Sequence, residues 1–135
     1  MNETPLILVV DDEAHILHVV SLKLQNAGYR VATASDGEDG LAKAVEHQPD
    51  LVITDHQMPF MTGLELCTKL KEHEQTRTVP AVMLTARGFR LASESLDRTN
   101  ITAVLSKPFS PREILARVQE LTDPHRQETR AKGTV

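Results

Sequence analysis

The chain of 135 residues reads as one α/β domain, a (βα)5 unit whose five strands form a doubly wound parallel sheet. Three observations predict this. Five short apolar runs recur along the chain, β-branched and without polar alternation, as expected of strands covered on both faces. Amphipathic stretches at helical spacing separate them. The runs also end in polar residues, which in such a sheet gather along one edge.

The first run is Leu6–Val10. It leads into a helix from about Glu13 to Ala27, with Leu17, Val20, Leu24 and Ala27 on one stripe and Gly28 as its stop. Val31–Ala34 is the second strand. Ser35 and Glu38 then read as a capping box for a second helix carrying Leu41, Ala44 and Val45, which ends at Pro49. Leu51–Thr54 is the third strand, and Leu66, Cys67 and Leu70 mark the third helix. The fourth strand is Val79–Leu84, and a fourth helix, guided only by Leu91, Ala92 and Leu96, falls within Arg90–Arg98. Ile101–Leu105 is the fifth strand. The fifth helix opens on a Ser110–Glu113 capping box with Pro111 at its first position, and Phe109 is placed to staple onto Ile114; Ile114, Val118 and Leu121 form its buried stripe. The domain is expected to occupy residues 1–122. Residues 123–135 form a polar tail in which Asp123-Pro124 offers one further helix start.

Composition narrows the function. The residues are 40% hydrophobic but only 3% aromatic, so the core is aliphatic and base-stacking platforms are all but excluded. Nineteen acids against fifteen bases give a net charge of −4, which provides no general attraction to nucleic acid or anionic lipid. A single cysteine, Cys67, cannot form an internal disulfide. No secretory signal precedes Leu6, and no apolar run approaches the roughly 18 residues of a membrane span. These features predict a cytoplasmic protein that binds neither nucleic acid nor membrane.

The polar strand ends carry the chemistry. Asp11 and Asp12 follow the first strand, Asp55 ends the third, Thr85 the fourth and Lys107 the fifth. Three carboxylates in one crevice repel one another unless a proton or a cation neutralises them. Lys107 supplies one positive charge. The rest suits a hard divalent ion held by oxygen, which points to Mg²⁺ or Mn²⁺. A carboxylate, a hydroxyl, a lysine and a metal form a phosphoryl-transfer site, with Asp55 as nucleophile, Lys107 and the metal on two phosphoryl oxygens and Thr85 on the third.

Four pieces in order, Ile7–Glu13, Asp55–Gly63, Leu84-Thr85-Ala86 and Lys107-Pro108-Phe109, resemble the receiver domain of two-component response regulators, over about Pro5 to Leu121. The resemblance implies the flavodoxin-like strand order 2-1-3-4-5 and a cis Lys107-Pro108 bond. It implies that Asp55 accepts phosphate from a sensor histidine kinase or phosphotransfer protein. Asp12, Asp55 and the main-chain carbonyl of Gln57 would then ligate Mg²⁺ directly, and Asp11 through water. Phosphorylation would draw Thr85 in and switch binding to a downstream protein. With so few residues after Leu121 no output domain is expected, and the protein is expected to act alone.

Departures from the family pattern are visible. Val104 stands where an aromatic is usual, three residues before Lys107. Thr62 stands where Asp is common, a loop change expected to matter little. Gln57 and Arg87 hold the positions at which family members tune phosphate lifetime.

Two rivals are a Mg²⁺-dependent phosphatase working through an aspartyl phosphate and a receiver-like module that binds without phosphorylation. Phosphatases similar to the haloacid-dehalogenase group place a second Asp two residues after the nucleophile. Here that residue is Gln57, so no turnover of outside substrates is expected. His15 and His18 lack a third metal ligand, and His56 reads as a loop histidine. Cys67 reads as a small core residue, and Asp36–His47 fails as a calcium loop because His47 replaces the closing Glu.

Overall fold

The structure, a computed structural model, describes residues 4–86 and 97–122. The predicted fourth helix lies outside the described residues except for Asp97 and Arg98, and so does the tail with its Asp123-Pro124 start. Five strands, β1 (Leu6–Val10), β2 (Arg30–Ala34), β3 (Leu51–Asp55), β4 (Ala81–Thr85) and β5 (Ile101–Ser106), form one sheet in the order β2-β1-β3-β4-β5, with every pairing parallel. Among the described residues four helices accompany them: α1 (Ala14–Asn26), α2 (Gly37–His47), α3 (Gly63–Glu72) and α4 (Pro111–Thr122), the last being the fifth predicted helix.

The runs of β1, β3 and β4 lack polar alternation because both faces of the sheet are covered there, and the twofold side-chain period divides them between two cores, whereas Thr102, Val104 and Ser106 of β5 are exposed. Ile7, Val9, Leu51, Ile53, Val82 and Leu84 face one side, where Val20 and Leu24 of α1 meet Ile114 and Val118 of α4. Leu8, Val10, Val52, Ala81 and Met83 face the other, against Ala44 of α2 and Leu66, Cys67 and Leu70 of α3. Burying each Leu or Ile side chain contributes about 1.5–3 kcal/mol, so this two-sided aliphatic core stabilises the fold with little aromatic help. Phe109 packs on the core side that holds Ile114, as its place before α4 predicts.

The helix ends follow local chemistry. Gly28, at φ 100°, continues past the C-cap Ala27 of α1 in the left-handed region, where a side chain is strained. Ser110 and Glu113 exchange backbone bonds of 3.1 and 3.0 Å at the start of α4. The second helix corrects the expectation for Ser35: its N-cap is Asp36, whose carboxylate accepts from the Asp39 N–H at 2.7 Å. Both residues begin a plausible cap pattern, and the backbone turns one residue later than Ser35. Thr62 is the N-cap of α3 and closes a full capping box with Glu65, a place that Asp, another favoured N-cap residue, can also fill. Val79 is not in β4; its N–H closes a turn onto Thr76, and Pro80, which has no N–H to give, precedes the strand.

Candidate functional site

The strand order reverses at β1, whose neighbours β2 and β3 run to either side of it, so the carboxyl ends of β1 and β3 open a crevice. Asp11 leaves β1 with its N–H bonded to the Ala34 carbonyl at 3.1 Å, which ties it to the end of β2. Asp55 is the last residue of β3, paired with Leu84 of β4, and the His56 N–H continues that ladder onto the Leu84 carbonyl at 2.8 Å. Thr85 ends β4, and its carbonyl accepts from the Lys107 N–H at 2.7 Å, which fixes where the chain leaves β5. The Lys107-Pro108 bond is cis.

These placements bring carboxylate oxygens of Asp11, Asp12 and Asp55 within 4.8 Å of one another, the single such group of potential metal-ligating acids, histidines or cysteines among the described residues. Asp11 and Asp55 are buried and Asp12 is exposed at the mouth. The Lys107 ammonium donates to Asp55 Oδ1 at 2.8 Å and lies 3.6 Å from Glu13 Oε1. Asp11 Oδ1 accepts from the Glu13 N–H at 2.9 Å, while Asp11 Oδ2 and Thr85 Oγ1, both buried, have no hydrogen-bond partner. A buried oxygen without a donor is costly, and a cation or an incoming oxyanion would relieve each of these two differently. The donor set is all oxygen, and so is suited to a hard divalent cation rather than to zinc.

The electrostatics follow from that crowding. Burial, and then the neighbouring Asp55 charge, push the Asp11 carboxyl up to about 6, against the lowering effect of its bond from Glu13 N–H. Burial alone would lower Lys107, but its bond to Asp55 and the charges of Asp55, Asp11 and Glu13 outweigh this and raise it, so the ammonium is held charged. Burial lowers His56, which keeps that imidazole neutral beside the site.

Gln57, predicted to ligate through its main-chain carbonyl, lies two residues past Asp55 with its side chain exposed. Other candidates fall elsewhere: His15 and His18 are exposed on α1. Cys67 is buried in the α2–α3 core, where burial pushes its thiol up to about 12, so it is inert packing. Asp36–His47 is a capped helix rather than an ion-binding loop.

Sequence reasoning assigned no role to Glu13 or Gly63. The first was readable only as an acid at a helix start. Gly63 donates its N–H to the His56 carbonyl at 2.7 Å and lies so close to β3 that an added Cβ would stand 2.3 Å from the Asp55 carbonyl oxygen. A glycine at the start of a helix was the only available signal of that approach. Among the described residues no helix is long and apolar enough to cross a membrane.

Known proteins are similar to this chain in sequence and fold. The model of the family described as the response regulator receiver domain matches residues 7–119. The chain is 40% identical over 120 residues to the alkaline phosphatase synthesis transcriptional regulatory protein PhoP of Bacillus subtilis, covering 85% of this chain and 47% of that protein. It is 41% identical over 118 residues to the DNA-binding dual master transcriptional regulator RpaA of Synechocystis, covering 87% and 48%. It thus spans about half the length of these curated relatives. Among solved structures it superposes on the chemotaxis protein CheY4 of Vibrio cholerae with a TM-score of 0.81 at 36% identity, covering 88% of this chain and 99% of that one. The receiver domain of the sensor histidine kinase PA1611 of Pseudomonas aeruginosa, described with a magnesium ion coordinated in its active site cleft, matches with a TM-score of 0.77 at 26% identity, covering 88% and 98%. The chain belongs to the response regulator receiver domain family, the phosphoacceptor modules of two-component signalling.

Proposed function

We propose that Asp55 accepts a phosphoryl group from a histidine kinase or phosphotransfer protein in a Mg²⁺-dependent reaction, and that this switches binding to a downstream protein. The observation that carries this reading is the buried Asp55 carboxylate bonded to Lys107 at 2.8 Å beside two further carboxylates. An Asp55 oxygen attacks phosphorus as the bond from phosphorus to the donor breaks; the donor keeps that electron pair. The product is an acyl phosphate. No general base is needed, because the attacking carboxylate is already ionised. Lys107 holds one phosphoryl oxygen and shields its charge, and the unpartnered Thr85 hydroxyl donates to another.

Asp12, Asp55 and the Gln57 carbonyl would hold Mg²⁺ (or Mn²⁺), with Asp11 acting through water. The unpartnered Asp11 Oδ2 and the all-oxygen set fit such an ion. The bound ion supplies charge neutralisation at the phosphoryl oxygens. Thr85, moving toward the phosphoryl group, biases two pre-existing states. The single buried cysteine fits a reducing, cytoplasmic setting.

Two measurements test this. Incubation with acetyl phosphate and Mg²⁺ is expected to add one phosphoryl group by intact mass, removable by hydroxylamine as an acyl phosphate. A chelator is expected to prevent it. A label that persists in the chelator, or resists hydroxylamine, defeats the reading.

The second measurement uses pH. In the folded protein without metal Asp11 titrates near 6, against 3.8 when unperturbed. Between these values the folded state holds a proton that the unfolded chain has released. This contribution to stability is therefore complete below 3.8 and lost as pH rises through about 6. A divalent cation replaces the lost proton only where Asp11 is ionised. Mg²⁺ is accordingly expected to raise the melting temperature by several degrees at about pH 7.5 and by little at about pH 5. An equal rise at both values counts against metal at this cluster.

A further inference from the structure

The first helix breaks a rule that the other described helices keep. Asp36, Thr62 and Ser110 each place a side-chain oxygen on a backbone N–H at the start of α2, α3 and α4. At α1 the N-cap is Glu13, its side chain makes no cap bond, and no acid stands in the first turn. Ser, Thr, Asp and Asn are the favoured N-cap residues because their short side chains reach back to the N2 or N3 amide. Glu is too long for that geometry, and here its carboxylate reaches toward Lys107 at 3.6 Å instead. Local rules broken in this way gather at functional sites.

We infer that Glu13 is a positioning residue for the phosphoryl-transfer step. It shares the Lys107 ammonium with Asp55 and offers it a second anchor, so that Lys107 can leave its 2.8 Å bond to the nucleophile and meet the incoming phosphoryl oxygens. The inference rests on the reading of Asp55 as the phosphoacceptor.

The ammonium carries three donors, and Asp55 Oδ1 engages one of them at 2.8 Å. With Glu13 absent, the charge on Lys107 is answered by Asp55 and, more weakly, by Asp11, with no anchor on the α1 side. A carboxylate held in a closed ion pair is a poorer nucleophile, and its lysine must leave that pair before it can stabilise transferred charge. Glu13 offers a second anchor on the α1 side of the crevice. Its backbone N–H is meanwhile fixed to Asp11 Oδ1, so the carboxylate starts from a defined point. With its side chain 60% exposed, Glu13 has little packing role, and the sharing with Lys107 is what its length achieves.

Two variants and two readouts test this. Glu13→Gln keeps the length and removes the charge. Glu13→Ser removes the reach and installs a cap. Labelling by acetyl phosphate at saturating Mg²⁺ is expected to show a maximal rate lower by about three- to tenfold in both variants, with the half-saturating donor concentration unchanged or lower because one repelling charge is gone. In the metal-free protein Glu13→Ser is expected to raise the melting temperature by about 3–5 °C, and Glu13→Gln to leave it near the wild-type value.

A residue that merely held the fold would lose stability and rate together. A maximal rate within twofold of wild type in both variants overturns the inference while leaving Asp55 as acceptor intact. So does a Glu13→Ser protein less stable than wild type, or a change confined to half-saturation. A wild-type protein that takes no label overturns both the inference and the reading beneath it.

Discussion

Asp55→Asn is expected to take no phosphoryl group from acetyl phosphate and Mg²⁺, a loss of labelling to background while the fold persists. The substitution is nearly isosteric, so the buried position at the end of β3 is filled as before and the ladder bond from the His56 N–H to the Leu84 carbonyl is untouched. What changes is charge. The amide is not a nucleophile at phosphorus, and the Lys107 ammonium loses the anionic acceptor it reached at 2.8 Å and turns to Glu13. Two of the three carboxylates remain, which weakens divalent-cation binding by at least about tenfold. The Asp11 carboxyl should fall from about 6, since one cause of its elevation is the Asp55 charge, although burial, the larger cause, stays. Intact-mass analysis gives the labelling result, and thermal unfolding without metal shows that the variant is folded. A variant that still gains one phosphoryl group places the acceptor elsewhere.

How far this site could be read from the chain differs from residue to residue. The runs of β1, β3 and β4 were legible because burial on both faces removes polar residues, and their shortness between turn residues favours a strand over a helix. The acids and the lysine were legible because each stands where an apolar run stops. The helix starts were less so. Ser35-x-x-Glu38 has the capping-box pattern, yet the cap falls one residue later on Asp36, itself a favoured N-cap residue, whose carboxylate accepts from the Asp39 N–H. Thr62-x-x-Glu65 lay in the open as a capping box, hidden only because the same stretch also matched the site motif. Glu13 and Gly63 stand inside the stretches that resemble the family, but their roles were not legible, since each rests on a distance to another element: 3.6 Å to a lysine almost a hundred residues away for one, and a missing Cβ for the other.

Gly63→Ala should be the most damaging of the alanine substitutions at the described glycines. Replacing glycine by alanine in a helix ordinarily stabilises by about 0.5–1 kcal/mol, through the entropy of the unfolded chain. At Gly63 the added Cβ would lie 2.3 Å from the Asp55 carbonyl oxygen and 3.0 Å from the His56 Cα, more than 1 Å inside ordinary contact for the first. Both neighbours are backbone, so no side chain can swing away. The Asp55 carbonyl is itself held, accepting from the Thr54 hydroxyl at 3.0 Å within a strand buried along its length. Relief must therefore come from α3 backing off. That stretches the 2.7 Å bond from Gly63 N–H to the His56 carbonyl and withdraws Leu66, Cys67 and Leu70 from their core. Overpacking of this kind costs about 1–3 kcal/mol and exceeds the entropic gain. The net cost of about 0.5–2 kcal/mol corresponds to a melting temperature lower by about 2–8 °C. Because the clash falls on the acceptor's own backbone, labelling of Asp55 should slow further than the stability loss accounts for when measured well below the transition. A Gly63→Ala protein as stable as wild type and labelled at the wild-type rate would mean that α3 does not sit against Asp55, and that the crevice is framed some other way.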